Sequence, residues 1–134
     1  MKKIFLILTT LLIVSCSGNS VYFDLHKKNM ISCDNLLISK VKVEGLDDNF
    51  DYYVFSLKSN NNIGVKLFNL TKISDAFSIS TTSGKIINNS EFKLKPSSSY
   101  KISNISNGDA TQFSITIITN ENGNIVKASN LDCN

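Results

Sequence analysis

The densest group of potential ligand oxygens in the chain is Glu44, Asp47, Asp48, Asn49 and Asp51. Asp47-x-Asn49-x-Asp51 offers the first three oxygen positions of a twelve-residue calcium loop. The sixth place, which needs glycine for its turn, is Tyr52, and the twelfth, which needs a bidentate glutamate, is Lys58. That motif fails. Solvated turn carboxylates are the ordinary reading, and an irregular oxygen site in the same loop is the alternative. His26 is the sole histidine and has no cysteine or histidine at metal-ligand spacing. A serine nucleophile needs a base within hydrogen-bond reach, and this histidine falls in a stretch that reads as a linker. The spacing of Asp75, Glu91 and Asp109 suggests no pair of acids aimed into one cleft. No glycine-rich phosphate loop is present. The expectation is a protein that is not an enzyme and uses neither metal nor cofactor.

The cysteines say more. Lys2 and Lys3 open the chain, Ile4 to Val14 run apolar except for Thr9 and Thr10, and Ser15 is followed by Cys16. As a helix this run spans only about 16 Å, against a bilayer core of roughly 30 Å. A cationic start, a short apolar run and a small residue at the cut describe a secretion signal rather than a membrane span. The ending Ile13-Val14-Ser15-Cys16 resembles the lipobox of bacterial lipoprotein precursors. That resemblance implies cleavage before Cys16 and acyl chains, palmitate among them, on the new N-terminal cysteine. The chain would then sit in the bacterial cell envelope, with the outer membrane, on its periplasmic or surface face, as the expected site. The alternative is a thiol lying by chance beside an ordinary cleavage site. Multiple acyl chains would make release negligible, since each buried CH₂ contributes about 0.8 kcal/mol.

Cys33 and Cys133 remain. An exported protein meets an oxidising compartment, and an even pair predicts a disulfide closing almost the whole folded region. Two free thiols on frayed ends are the other possibility.

Removal of residues 1–15 leaves 119, one domain's worth. With the two signal lysines gone, lysines and carboxylates nearly balance, so the basic pI says little about the folded part. There is no arginine and no tryptophan. Bidentate phosphate or guanine recognition leans on arginine, and single-strand binding leans on aromatic platforms, so nucleic acid is not an expected partner.

Three segments are expected: the signal over 1–15, a lipidated tether over 16–32 and a folded domain over 33–134. In the tether, Val21, Tyr22, Phe23 and Leu25 are more apolar than a free linker needs. From Leu36 the period becomes two, with Leu37, Ser39, Val41 and Val43 on the same face. Tyr53, Phe55 and Leu57 alternate with residues apolar enough to make a central strand. Strands follow over Val65 to Leu70, Phe77 to Ser80 and Lys85 to Ile87. Phe92 and Leu94 alternate with Lys93 and Lys95 up to Pro96, which cannot donate to a ladder. Tyr100, Ile102 and Ile105 come next, then Phe113, Ile115 and Ile117. Asn122-Gly123 signals a hairpin with a primed turn, returning through Ile125 to Ala128. About seven or eight short antiparallel strands without helical periodicity predict an all-β fold, a single β-sandwich.

Leu94-x-Pro96-x-x-x-Tyr100-x-Ile102 resembles the corner before the penultimate strand of fibronectin type III and other immunoglobulin-like domains. With Phe77-x-Ile79 and Gly84-x-Ile86 it is also similar to the second half of a cadherin repeat. The resemblance implies an immunoglobulin-like sandwich in which Tyr100 is buried and its hydroxyl meets the backbone. The acidic residues of cadherin calcium sites are missing after Leu94, where Lys95 and Pro96 stand, and after Ile117.

Two roles fit such a domain. One is a non-catalytic binding module for an envelope protein or glycan. The other is a periplasmic inhibitor or immunity-type lipoprotein that neutralises an enzyme. The loop Asp47, Asp48, Asn49, Asp51 with Tyr52 is the expected partner-binding loop, because carboxylates beside an aromatic suit a basic protein surface or a sugar. Asn60, Asn61 and Asn62 read as plain turn chemistry.

Overall fold

The computed structural model describes residues 19–33, 35–47, 52–59, 63–106 and 113–133. Among these residues, ten strands form two antiparallel sheets. β1 (Val21–Asp24), β2 (Asn29–Ser32) and β5 (Leu67–Asn69) make the smaller one, in the order β1-β2-β5. The larger contains β3 (Lys40–Gly45), β4 (Tyr52–Leu57), β6 (Phe77–Thr81), β7 (Ile86–Ile87), β8 (Ser99–Asn104), β9 (Phe113–Thr119) and β10 (Ile125–Ala128), ordered β10-β9-β8-β3-β4-β6-β7. The fold is an all-β sandwich, with more and shorter strands than the seven or eight expected.

Alternation decides which face is buried. Ile115, Ile117 and Thr119 of β9 point inward while Ser114, Thr116 and Ile118 face solvent. Val41 and Val43 of β3, Phe55 of β4, Phe77 and Ile79 of β6 and Ile102 of β8 complete the inner face of the large sheet. Val21 and Phe23 of β1, Met30 of β2 and Phe68 of β5 close over it. Edge-to-face aromatic pairs link the two sheets and tie Phe92, which lies outside both, to the larger one. Phe68 meets Phe55 at 5.3 Å and Phe77 at 5.2 Å, and Phe92 meets Phe55 at 4.9 Å and Tyr53 at 5.1 Å between ring centroids. Such pairs add roughly 0.5–1.5 kcal/mol each beyond the area they bury.

The expected tether needs correcting. Residues 21–32 are the β1–β2 hairpin, paired from Val21↔Ser32 to Asp24↔Asn29, and Val21 and Phe23 are 0% exposed. The domain therefore starts well before residue 33. The turn of this hairpin carries Lys27, whose N–H meets Asp24 Oδ1 at 3.0 Å, and Lys28, at φ 58°. Those turn residues give the stretch its linker-like composition.

Three local readings also change. Phe92 to Lys95 is extended but joins no ladder; it follows a 3-10 turn over Asn89–Glu91, where Glu91 Oε2 accepts the Asn88 N–H at 3.3 Å. The strand before Val41 breaks at Ser39, whose N–H goes to Ser106 Oγ at 2.8 Å. Ile38 is consequently the buried residue there, bridged to Val65, rather than Leu37 or Ser39. The Asn122-Gly123 hairpin forms, but only Gly123 has positive φ, at 79°. A primed turn would need it at the first central position, Asn122, as well or instead. Asn120 Oδ1 instead accepts the N–H groups of Asn122 and Asn124, each at 3.0 Å, which sets a three-residue loop.

Cys33 and Cys133 lie at disulfide distance, with Sγ atoms 2.14 Å and Cα atoms 5.5 Å apart. They tie the end of β2 to the segment after β10. Next to them, Phe23 N–H donates to Asn130 C=O at 2.8 Å, and Asn130 Nδ2 donates to Val21 C=O at 3.2 Å.

Candidate functional site

The register divides the sandwich into two ends. Asn19, Cys33, Cys133, the Ile38–Val65 bridge and the close of β8 at Asn104 gather at one end, where the chain comes into the fold. The other carries Gly45 to Asp47, Thr82 to Gly84, Leu94 to Tyr100 and Glu121 to Gly123. These are called the anchor end and the distal end below.

At the distal end Tyr100 is 7% exposed and its Oη accepts the Lys95 N–H at 2.7 Å. Thr119, itself buried, completes the corner. Its Oγ1 donates to Lys95 C=O at 2.7 Å and accepts the Ser98 N–H at 2.9 Å. Pro96 supplies no N–H here and Ser97 takes φ 48°, so the bend is held by these side-chain bonds together with the Ser97 N–H, which donates to Asn120 C=O at 2.8 Å. Both backbone groups of Lys95 are thereby fixed, and the direction in which its side chain leaves the corner follows.

A cleft of about 90 Å³ opens beside this corner. Gly45, Asp47, Lys93, Lys95, Ser98 and Ser99 line it together with Tyr53 and Tyr100. Asp47 is held by its own contact, with Oδ2 accepting the Ser99 N–H at 3.2 Å. Leu46 N–H, next to it, donates to Ser99 C=O at 2.9 Å. Tyr53 is braced from behind by Phe92. Pockets for drug-sized ligands run roughly 300–1,000 Å³, so this space suits one side chain or sugar hydroxyl group reaching in from a larger partner. A carboxylate, ammonium groups and phenol edges together can grip a polar group by charge-assisted hydrogen bonds.

The expected binding loop is only partly seen. Asp48, Asn49 and Asp51 lie outside the described residues, as does Cys16. Asp47 lines the cleft. Tyr52 does not, because it alternates with Tyr53 on β4 and faces the outer side of the large sheet. There Lys42 Nζ lies 5.0 Å from its ring centroid and 3.3 Å from Glu44 Oε2. Tyr52 is pinned by Thr82, which accepts its N–H at 3.0 Å and donates to its C=O at 3.2 Å. The aromatics that share a cavity with Asp47 are thus Tyr53, on the inner face of β4, and Tyr100. Lys93 and Lys95, read as the solvent side of a strand, are the other additions. The signal that could have found them was their position on either side of Leu94 in the Leu94-x-Pro96 corner.

Among the described residues, no group of three or more His, Cys, Asp and Glu side chains is placed to hold a metal ion. No helix among them is long and apolar enough to cross a membrane. No protein-family model, no curated protein and no solved structure matches the chain.

Proposed function

We propose that this chain is a lipid-anchored, non-catalytic binding module of the bacterial cell envelope, held through Cys16 and engaging an envelope protein or glycan at its distal end. The observation that carries the reading is the polarity of the fold. Asn19, three residues after Cys16, is buried at the anchor end, while the Asp47–Tyr53–Lys95–Tyr100 cleft opens at the opposite end. An acyl anchor at Cys16 leaves that cleft facing away from the membrane and open to a partner. The tie between Tyr100 and Lys95 supports the immunoglobulin-like reading of the sandwich, and such folds commonly bind through the loops at one end.

Two measurements test this. Metabolic labelling with a palmitate analogue should mark the wild-type protein and lose the mark in Cys16→Ala; equal labelling would end the anchor reading. Capture of envelope partners by the lipidated protein should then weaken in Lys93→Glu with Lys95→Glu, at unchanged thermal stability. A captured enzyme that loses activity on binding would favour the inhibitor role over the module.

A further inference from the structure

We infer that the anchor end of the domain rests on the phospholipid surface, with Leu36, Ile63 and Leu131 seated among the headgroups. The inference depends on the proposal that Cys16 carries lipid. Its first support is the reach of the chain. Asn19 is 1% exposed and its C=O accepts Asn104 Nδ2 at 3.2 Å, so the backbone is fixed from there onward. Only Ser17 and Gly18 separate it from Cys16. At roughly 3.3–3.6 Å per residue, a fully extended chain puts the Cα atoms of Cys16 and Asn19 no more than about 10 Å apart. Acyl chains hold Cys16 at the headgroup level, so the anchor end cannot stand clear of it.

The second support is what this end displays. Ile63 is 86% exposed, more than any other large hydrophobic residue among those described, and lies two residues before Val65, which bridges to Ile38. Leu131 is 57% exposed and two residues before Cys133; Leu36, at 47%, is tied to the end of β2 through Ser32 Oγ, which donates to its C=O at 2.7 Å. Leu67 continues the apolar rim on β5, paired with Ile31. Scattered apolar residues are normal on a soluble surface. Four of the eight exposed large hydrophobics among the described residues lie at this end, where the anchor holds the domain against lipid and so supplies their occupant. Lys40, Lys66 and Asp132 are all exposed at this end, so charges of both signs are present and the apolar side chains choose the surface. A protein partner would have to enter a gap of about 10 Å or less between domain and bilayer, whereas an interfacial seat needs apolar side chains to sink only about 5–10 Å.

The test uses full-length lipidated protein in vesicles of phosphatidylethanolamine and phosphatidylglycerol. A benzophenone amino acid replaces Ile63, Leu131 or, at the distal end, Ser83. Phospholipid adducts are expected at positions 63 and 131 and their loss at 83. Ile63→Asp with Leu131→Asp should keep the protein floating with the vesicles and remove the adduct from a benzophenone at position 36. Flotation with no adduct at 63, or equal adducts at 63 and 83, overturns the docking and leaves the anchor reading intact. Protein adducts in place of lipid at 63 also overturn it. Loss of both the palmitate mark and flotation overturns the anchor reading, and the docking with it.

Discussion

The Tyr100 hydroxyl accepts the Lys95 N–H at 2.7 Å across a corner whose next residue is Pro96. The bond satisfies a backbone donor that no neighbouring strand can reach, and it fixes one wall of the cleft. Tyr100→Phe leaves that N–H without its acceptor and should cost about 1 kcal/mol. Tyr100→Ala also opens a cavity and should cost roughly 3–5 kcal/mol. Urea denaturation of both variants checks the pair; an alanine variant as stable as wild type would remove the corner from its structural role.

What sequence could and could not show follows from how local each feature is. Ile115 and Ile117 alternate with polar residues and pair with neighbouring strands, so their strand was readable. Tyr100 was readable for a similar reason, because corner and tyrosine lie within one short motif. Val21 and Phe23 were not, because what buries them is β2, β9 and the far end of the chain, whereas their nearest neighbours in sequence are turn residues. Phe92 to Lys95 misled in the opposite sense. Its alternation is genuine, with Phe92 buried and Lys93 exposed, but it joins no ladder among the described residues. The cleft itself could not be read, since it arises where the end of β3 meets a corner about 50 residues later.

The Cys33–Cys133 pair spans a separation of 100 residues. Cross-linking a loop of that size stabilises by up to about 4.7 kcal/mol in the chain-entropy view, and usually by less. Cys33→Ser with Cys133→Ser should therefore lower the melting temperature substantially. A reducing agent should lower it for the wild type but not for the double variant. Identical melting of wild type with and without reductant would mean that the pair contributes nothing to stability.

Asp47 is exposed, and one carboxylate oxygen accepts the Ser99 N–H at 3.2 Å. Asp47→Asn retains an acceptor for that bond, so stability should move by no more than about 0.5 kcal/mol. Binding of a captured partner should weaken and its dependence on salt should flatten, because a charge at the rim of the contact has gone. Titrations at low and high ionic strength read this directly. Unchanged affinity and unchanged salt slope would take Asp47 out of the binding surface.

Gly84 and Gly123 both need positive φ, at 80° and 79°, yet their surroundings differ. A Cβ on Gly84 would meet nothing within 4 Å, while one on Gly123 would lie 2.9 Å from Leu94 C=O. Gly84→Ala should cost about 1 kcal/mol from backbone strain alone. Gly123→Ala should cost more, roughly 2–3 kcal/mol, since the hairpin must also back away from the corner. Thermal melts of the two variants side by side measure the difference. Equal losses would show that the hairpin does not press on Leu94.

The strongest check on the domain boundary is a pair of truncations. Removing residues 1–18 keeps every residue of the described core, and the remaining chain should melt like the full domain. Removing residues 1–24 deletes Val21 and Phe23, both 0% exposed, and strips β2 of its partner. The loss of a buried phenylalanine alone is worth about 3–5 kcal/mol, which rivals the whole stability of a small domain at roughly 5–15 kcal/mol. The shorter protein should lose its cooperative transition by circular dichroism and bind a hydrophobic dye. A sharp melt close to that of the 1–18 deletion would return these residues to the role of a tether and dissolve the argument that the domain sits close to the bilayer.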